Sequence, residues 1–318
     1  MIVEEGTMER KKKELKSKKF RKNVMLEVDK DKDVKTLAKQ RGEKESTIIN
    51  EALGEYFSKR MSTKFIAFLN QKGGVGKSTS AQSVSVGLAR LNKKVLAIDV
   101  DPQGNFTKGL GAYEPEMPSV YEMLKGEISP EKAIVSREGI DIIPADLRLS
   151  QFEYLELPGK EFLLKNRLSQ FDFTKYDYIV FDCAPSFGKL NLGVLAMVHS
   201  IYVPIQTEYY AMEGVTQLMQ TIDMGRNLLM NKDLTLKGVF ATMYDNRRNL
   251  DKAALDKISE FFGDKLMNTK IRRNIKLAEA PARHESIFAY DPASNGAKDY
   301  MNLTKEIIAR EENGDNEQ

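Results

Sequence analysis

From residue 61 onward, short apolar runs alternate with longer stretches whose apolar residues recur every three or four positions. Phe65–Leu69, Val95–Val100, Ile140–Ile143, Tyr178–Phe181, Ile201–Ile205 and Val239–Thr242 are almost continuously apolar, which predicts strands buried on both faces. The segments between them carry helical spacing, as in Val84, Leu88 and Leu91. Such alternation predicts an α/β domain, a mainly parallel sheet with helices on both faces. No internal repeat interrupts it.

Residues 23–60 follow a different pattern. Val24, Leu26 and Val28 alternate with Asn23, Met25 and Glu27, as in a strand. Val34, Leu37 and Ala38 suit one side of a short helix ending near Gly42. Ser46 or Thr47 then offers a cap to a second helix carrying Ile48, Ile49, Ala52, Leu53, Tyr56 and Phe57. A β-α-α module of this size buries little by itself and would gain a core by pairing with a second copy.

Charge refines the two ends. Within residues 1–22, Arg10, Lys11, Lys12, Lys13, Lys16, Lys18, Lys19, Arg21 and Lys22 form a basic arm suited to nucleic-acid phosphates. Residues 311–318 form an acidic, polar tail expected to lack structure. The expected division is therefore arm 1–22, small module 23–60, α/β domain 61–310 and tail 311–318. Net charge is only +3, so the distribution, not the sum, points to nucleic acid. A single cysteine, Cys183, rules out an internal disulfide and agrees with a cytoplasmic location. With only two histidines, the chain is poorly equipped for a transition-metal site. No apolar run approaches the roughly 20 residues that span a bilayer, so no membrane partner is expected, and the N-terminus shows no secretory pattern.

The chemistry concentrates behind the first strand. Phe65–Leu69 leads directly into Asn70-Gln-Lys-Gly-Gly-Val-Gly-Lys-Ser-Thr79, and a helix follows. Strand, glycine loop and helix is the setting of a phosphate-binding loop. Gly73, Gly74, Val75 and Gly76 would aim backbone N–H groups at phosphate oxygens, helped by the helix N-terminus. Lys77 would bridge β- and γ-phosphates, Ser78 would offer its hydroxyl to Mg²⁺, and Thr79 would add a phosphate contact. ATP with Mg²⁺ is the expected cofactor pair. The second strand ends in Asp99-Val-Asp101, where carboxylates can hold metal-bound waters and orient an attacking water. Tyr178-Ile-Val-Phe-Asp182 has the four-apolar-then-Asp form of a Walker B strand, placing Asp182 near Mg²⁺. Cys183 reads as a small buried residue rather than a nucleophile.

The loop departs from the usual spacing: Gln71 stands where the first glycine belongs, and Lys72 lies inside the loop. Lys72-Gly-Gly-Val-Gly-Lys-Ser78 resembles the deviant Walker A motif of the ParA/MinD family of P-loop NTPases. That resemblance implies that Lys72 reaches across a dimer interface to the partner's ATP and, with Lys77 and Asp101, serves catalysis. Val203–Gly214, Thr242–Arg247 and Arg273–Pro281 resemble motifs of the Soj-like ParA subgroup, so the likeness spans nearly all of residues 64–308. It implies an ATPase of weak intrinsic rate that dimerises on ATP, holds non-specific DNA, and serves plasmid or chromosome partition on the nucleoid. A ParB-like centromere-binding partner would stimulate hydrolysis. Arg247 and Lys276 match the subgroup's DNA-contacting positions. The latter is usually arginine, and Arg248, Arg272 and Arg273 stand close enough in sequence to compensate. Ser46–Leu53 resembles ribbon-helix-helix proteins, which implies operator DNA as a ligand of residues 23–60. A transcriptional regulator switched by ATP is the competing reading; it would not need the catalytic set Lys72, Lys77, Asp101 and Asp182.

Overall fold

The structure, a computed structural model, describes residues 28–154, 158–185, 188–208 and 215–313. The basic arm, the alternating stretch through residue 27, Ser186 of the Walker B continuation, residues 209–214 and the tail from residue 314 lie outside those residues. The chain divides into two compact units, one ending at Ser58 and the other beginning at Lys59.

Helices span Val28–Arg41, in the first unit, and Glu45–Ser62, most of which belongs to it. Val28, expected to close a strand, opens the first helix instead. Gly42 turns the chain after that helix with φ of 67°, where a side chain would be strained. The second helix begins just before Ser46, with Glu45 in its first turn facing the positive end of the helix dipole. Ala38 of the first helix and Ile48 of the second are buried.

In the second unit, seven strands form one sheet: β1 Lys64–Phe68, β2 Val95–Asp99, β3 Val135–Arg137, β4 Ile140–Ile143, β5 Tyr178–Asp182, β6 Ser200–Gln206 and β7 Thr235–Thr242. Their order is β3-β4-β2-β5-β1-β6-β7, and every pairing is parallel except the edge pair β3–β4. The continuous hydrophobicity of the inner strands has a direct cause. Ile66 and Phe68 of β1, Val95 and Ala97 of β2, and Tyr178 and Val180 of β5 enter one core. Ala67, Leu96, Ile98, Ile179 and Phe181, their alternating neighbours, enter the other. Both faces are covered, so neither register position is polar.

The last helix, Asn295–Asn313, corrects the expected tail boundary. Glu311 is a buried helical residue, 3% exposed. Its carboxylate accepts from Ser200 Oγ at 3.1 Å and Tyr202 Oη at 2.7 Å, both on β6. An acidic composition suggested solvent; two buried hydroxyls needing an acceptor dictate otherwise. Glu311→Ala should strand both hydroxyls and cost about 2–3 kcal/mol of stability, read as a lower urea midpoint at unchanged slope. Among the described residues, no helix is long and apolar enough to cross a membrane.

Candidate nucleotide site

The loop from Leu69 to Gly76 joins β1 to the helix Lys77–Arg90 at the carboxyl edge of the sheet. Gly76 takes φ of 90° to start that helix, a conformation that side chains resist. The space above Gly73 and Gly74 is open, with no heavy atom within 4 Å of a built Cβ. Val75 is buried, and its carbonyl accepts from Thr242 Oγ1 at 2.9 Å, so the end of β7 braces the loop. Behind it, Ser80 Oγ and Tyr300 Oη lie 3.0 Å apart, tying the following helix to the last one.

Gly73, Gly74, Gly76, Lys77, Ser78, Thr79 and Asp101 line one cavity of about 430 Å³. Its far wall comprises Met243, Leu277, Ala278 and Pro281, an apolar surface suited to the flat face of a base. Lys77 is 6% exposed and donates from Nζ to the Lys72 carbonyl at 3.1 Å. Burial lowers its pKa, opposed by the nearby charges of Asp182 and Asp101. An ammonium in this position lacks a full complement of anions, which phosphate oxygens would supply.

Asp99 and Asp182 stand in register on the neighbouring strands β2 and β5, both fully buried. Burial pushes both pKa values up; the charge of Asp99 adds to the cost at Asp182, and that of Asp101 to the cost at both. Their hydrogen bonding differs. Ser78 and Lys77 lie near enough to favour the charged form of Asp182, yet neither of its oxygens completes a hydrogen bond within the chain. Asp99 Oδ2 accepts from Thr107 N at 3.0 Å and Thr107 Oγ1 at 2.6 Å, while Oδ1 accepts from Asp101 N at 3.1 Å. Asp99 and Asp182 thus differ: each oxygen of Asp99 accepts from the chain, whereas Asp182 is the carboxylate left wanting a partner. Among the described residues, no three metal-binding side chains converge. That suits Mg²⁺, which keeps waters and relies on substrate phosphates with one or two protein groups. Ser78 and Asp182 are the groups that fit it.

Lys72 is not among the residues lining this cavity. Its Nζ pairs instead with Glu208 Oε2 at 2.8 Å, with the lysine side chain 45% exposed. The basic candidates lie in two adjoining loops. Tyr244 N donates to Ile271 O at 3.0 Å and Arg273 N to Tyr244 O at 3.1 Å, stitching the loop after β7 to the segment before the helix Lys276–Glu279. Arg247 is 85% exposed and grips Asp245 through Nε and Nη2 at 2.9 and 2.8 Å. Lys276 Nζ meets Glu279 at 2.8 Å. Arg273 is exposed. Arg272, a candidate to compensate for Lys276, is occupied by a forked contact with Asp299 at 2.6–3.2 Å.

Several participants escaped sequence reading. Glu208 and Tyr300 are distant in sequence from what they touch; Glu208 lies in the Val203–Gly214 motif, but nothing local pairs it with Lys72, and no local pattern marks Tyr300. Thr107 had a signal, eight residues after Asp99 where the strand turns into a short helix, but not one that a motif for phosphate binding weighs. Met243, on the cavity wall, adopts φ of 52°.

A glycine loop on a central strand, a buried lysine, a serine at a helix start and an unsatisfied carboxylate on the adjacent strand define a P-loop nucleotide hydrolase. Residues 63–236 match the family model described as an AAA domain. The chain is 40% identical over 251 residues to the sporulation initiation inhibitor protein Soj of Bacillus subtilis, covering 77% of this chain and 98% of that one. It is 37% identical over 254 residues to the chromosome partitioning protein ParA of Caulobacter vibrioides, covering 78% and 95%. Among solved structures, cobyrinic acid a,c-diamide synthase from Mycobacterium smegmatis with bound ADP and magnesium superposes with TM-score 0.70 at 32% identity, over 79% of this chain and 96% of that one. A putative plasmid partition protein from Borrelia burgdorferi bound to AMPPNP gives TM-score 0.69 at 26% identity, over 78% and 99%. The chain belongs to the Soj/ParA family of chromosome-partitioning ATPases.

Proposed function

We propose that this ATPase hydrolyses Mg²⁺·ATP as a two-subunit switch: ATP joins two copies, the joined copies hold DNA without regard to sequence, and hydrolysis releases them. The observation that carries this reading is the position of Lys72. Lys77 lies buried under the loop at its own cavity, whereas Lys72 lines no part of that cavity and extends from the loop to Glu208. A cation so placed serves a phosphate presented by a neighbouring molecule better than its own. Mg²⁺, when bound, neutralises charge on the phosphoryl oxygens. The chain's residues do the rest: backbone N–H groups of the loop cradle the phosphates, Lys77 holds the terminal pair, and Asp101 orients the attacking water from the cavity rim. No covalent intermediate is required.

Arg247, Arg273 and Lys276 are the proposed phosphate contacts on DNA. Each half alone offers few charges, so affinity should depend on two subunits acting together. A ParB-like partner at a centromere is the proposed stimulator of hydrolysis, with action on the nucleoid, and the 23–60 module is proposed to add operator contacts. The test compares full-length protein with residues 61–318 for binding to random DNA and to DNA from upstream of its own gene, with ADP and with ATP. ATP-dependent binding of both DNAs by the shorter form is the expected result. Binding that ignores the nucleotide would overturn the switch, and binding that resides wholly in residues 1–60 would favour the regulator reading.

A further inference from the structure

We propose that Asp99 and Thr107 act together as positioning residues for ATP hydrolysis, fixing Asp101 against the phosphate loop through a buried clasp. Two carboxylates side by side at a strand edge invite the reading that both serve the metal. The hydrogen bonds separate them. Asp182 has two buried oxygens without partners. Asp99 spends Oδ2 on both donors of Thr107 and Oδ1 on the backbone N–H of Asp101.

Thr107 is as engaged as Asp99. It is wholly buried. Its hydroxyl donates to Asp99 and accepts from Ala145 N at 3.0 Å, just past β4. One hydroxyl therefore joins the carboxyl ends of two strands, β2 and β4, to the short helix Asn105–Gly109. Between the two ends of the clasp runs the turn that carries Asp101. That turn is tightly specified: Asp101 Oδ1 accepts from Gln103 N at 2.9 Å, and Gly104 N donates to Asp101 O at 2.9 Å. Gly104 has φ of 61°, and a Cβ there would come within 2.9 Å of the Ala145 carbonyl. On the opposite side, Gln82 Nε2 donates to the carbonyls of Asn105 and Phe106 at 3.0 and 2.8 Å. Gln82 sits one turn beyond Ser78 on the helix that starts at the phosphate loop and lines the same cavity. The Asp101 segment is thus held to β2 and to the region just past β4 by Asp99 and Thr107, and to the phosphate-loop helix by Gln82. Asp101 itself lines the cavity.

The clasp contributes through geometry. Nothing in it touches a phosphate, but a carboxylate that orients water loses its effect when displaced by about 1 Å, which can cost on the order of 10²-fold in rate. Replacing the Thr107 hydroxyl by a methyl keeps volume while removing one donor to Asp99 and the acceptor for Ala145 N.

The experiment uses the full chain and three variants, Thr107→Val, Thr107→Ser and Asp99→Asn. It measures single-turnover hydrolysis, affinity for a fluorescent ATP analogue, thermal midpoint, and the Mg²⁺ needed to half-saturate the ADP complex. Thr107→Val should lower the hydrolysis rate about ten- to hundredfold, with analogue affinity kept within about threefold. Thr107→Ser should restore the rate to within about threefold of wild type. Asp99→Asn should reproduce the rate loss and leave the Mg²⁺ requirement unchanged; it also serves if Thr107→Val fails to fold. A Thr107→Val enzyme that melts earlier but hydrolyses at the wild-type rate would reduce the clasp to a structural tie and overturn the proposal. So would parallel losses of rate and nucleotide affinity, or a tenfold or larger rise in the Mg²⁺ requirement of Asp99→Asn, the size expected when a metal site is disturbed.

Discussion

Lys72→Ala should bind ATP nearly as well as the wild type and yet hydrolyse it about 10³-fold more slowly, the lower end of what a cation supplied in trans contributes. Lys77 is the cation that nucleotide binding cannot spare, because it is buried at the cavity wall and already depressed in pKa by that burial. Lys72 is half-exposed and paired with Glu208, and an exposed pair of this kind contributes about 0–1 kcal/mol, so exchanging it for a neighbour's phosphate costs little. The same variant should fail to form a stable dimer with a non-hydrolysable analogue, as read by light scattering after size exclusion. An alanine variant that dimerised and turned over normally would return Lys72 to the status of a surface charge. Glu208→Gln, by contrast, should free the lysine without removing it and leave dimerisation intact.

Arg247→Glu should weaken ATP-dependent DNA binding more than about 100-fold at low salt while leaving dimerisation unchanged. Two subunits carry the change, so a dimer loses two cations and gains two anions on the face proposed to meet phosphates. The side chain is 85% exposed, and its removal should cost the fold little. Asp245 holds the guanidinium through Nε and Nη2, so Nη1 takes no part in that grip. Lost contact with phosphates should also flatten the dependence of affinity on salt, by roughly one counterion for each phosphate contact removed. A titration across ionic strengths distinguishes this from misfolding, which would lower binding without that signature. Full binding by the variant would remove Arg247 from the interface and direct attention to Arg273, whose side chain is exposed in the adjoining loop.

Much of this architecture could be read from the chain because the inner strands are buried on both faces. Ile66 and Ala67 look alike in a hydropathy pattern although they enter opposite cores. The strand β3, Val135–Arg137, went unread for the converse reason: it has three residues, none of them buried, so it shows neither continuity nor alternation. Local motifs located the phosphate loop, Asp101 and Asp182, since strand, turn and helix follow one another directly in sequence. What they did not convey was division of labour. Asp99 and Asp182 have the same residue type at the same edge of the sheet, and only the donors of Thr107 and the Asp101 amide tell them apart. The burial of Glu311 was equally hidden, because its partners on β6 lie more than a hundred residues earlier.

The way the final helix is fastened limits how this protein can be labelled for imaging. Tyr300 anchors that helix behind the nucleotide loop, and Glu311 anchors it beneath β6. A fluorescent fusion joined after Asn313 leaves both moorings in place. One spliced in at Arg310 would remove the second and loosen the helix that backs the phosphate loop, so any loss of activity in cells would report on the tag instead of the machine.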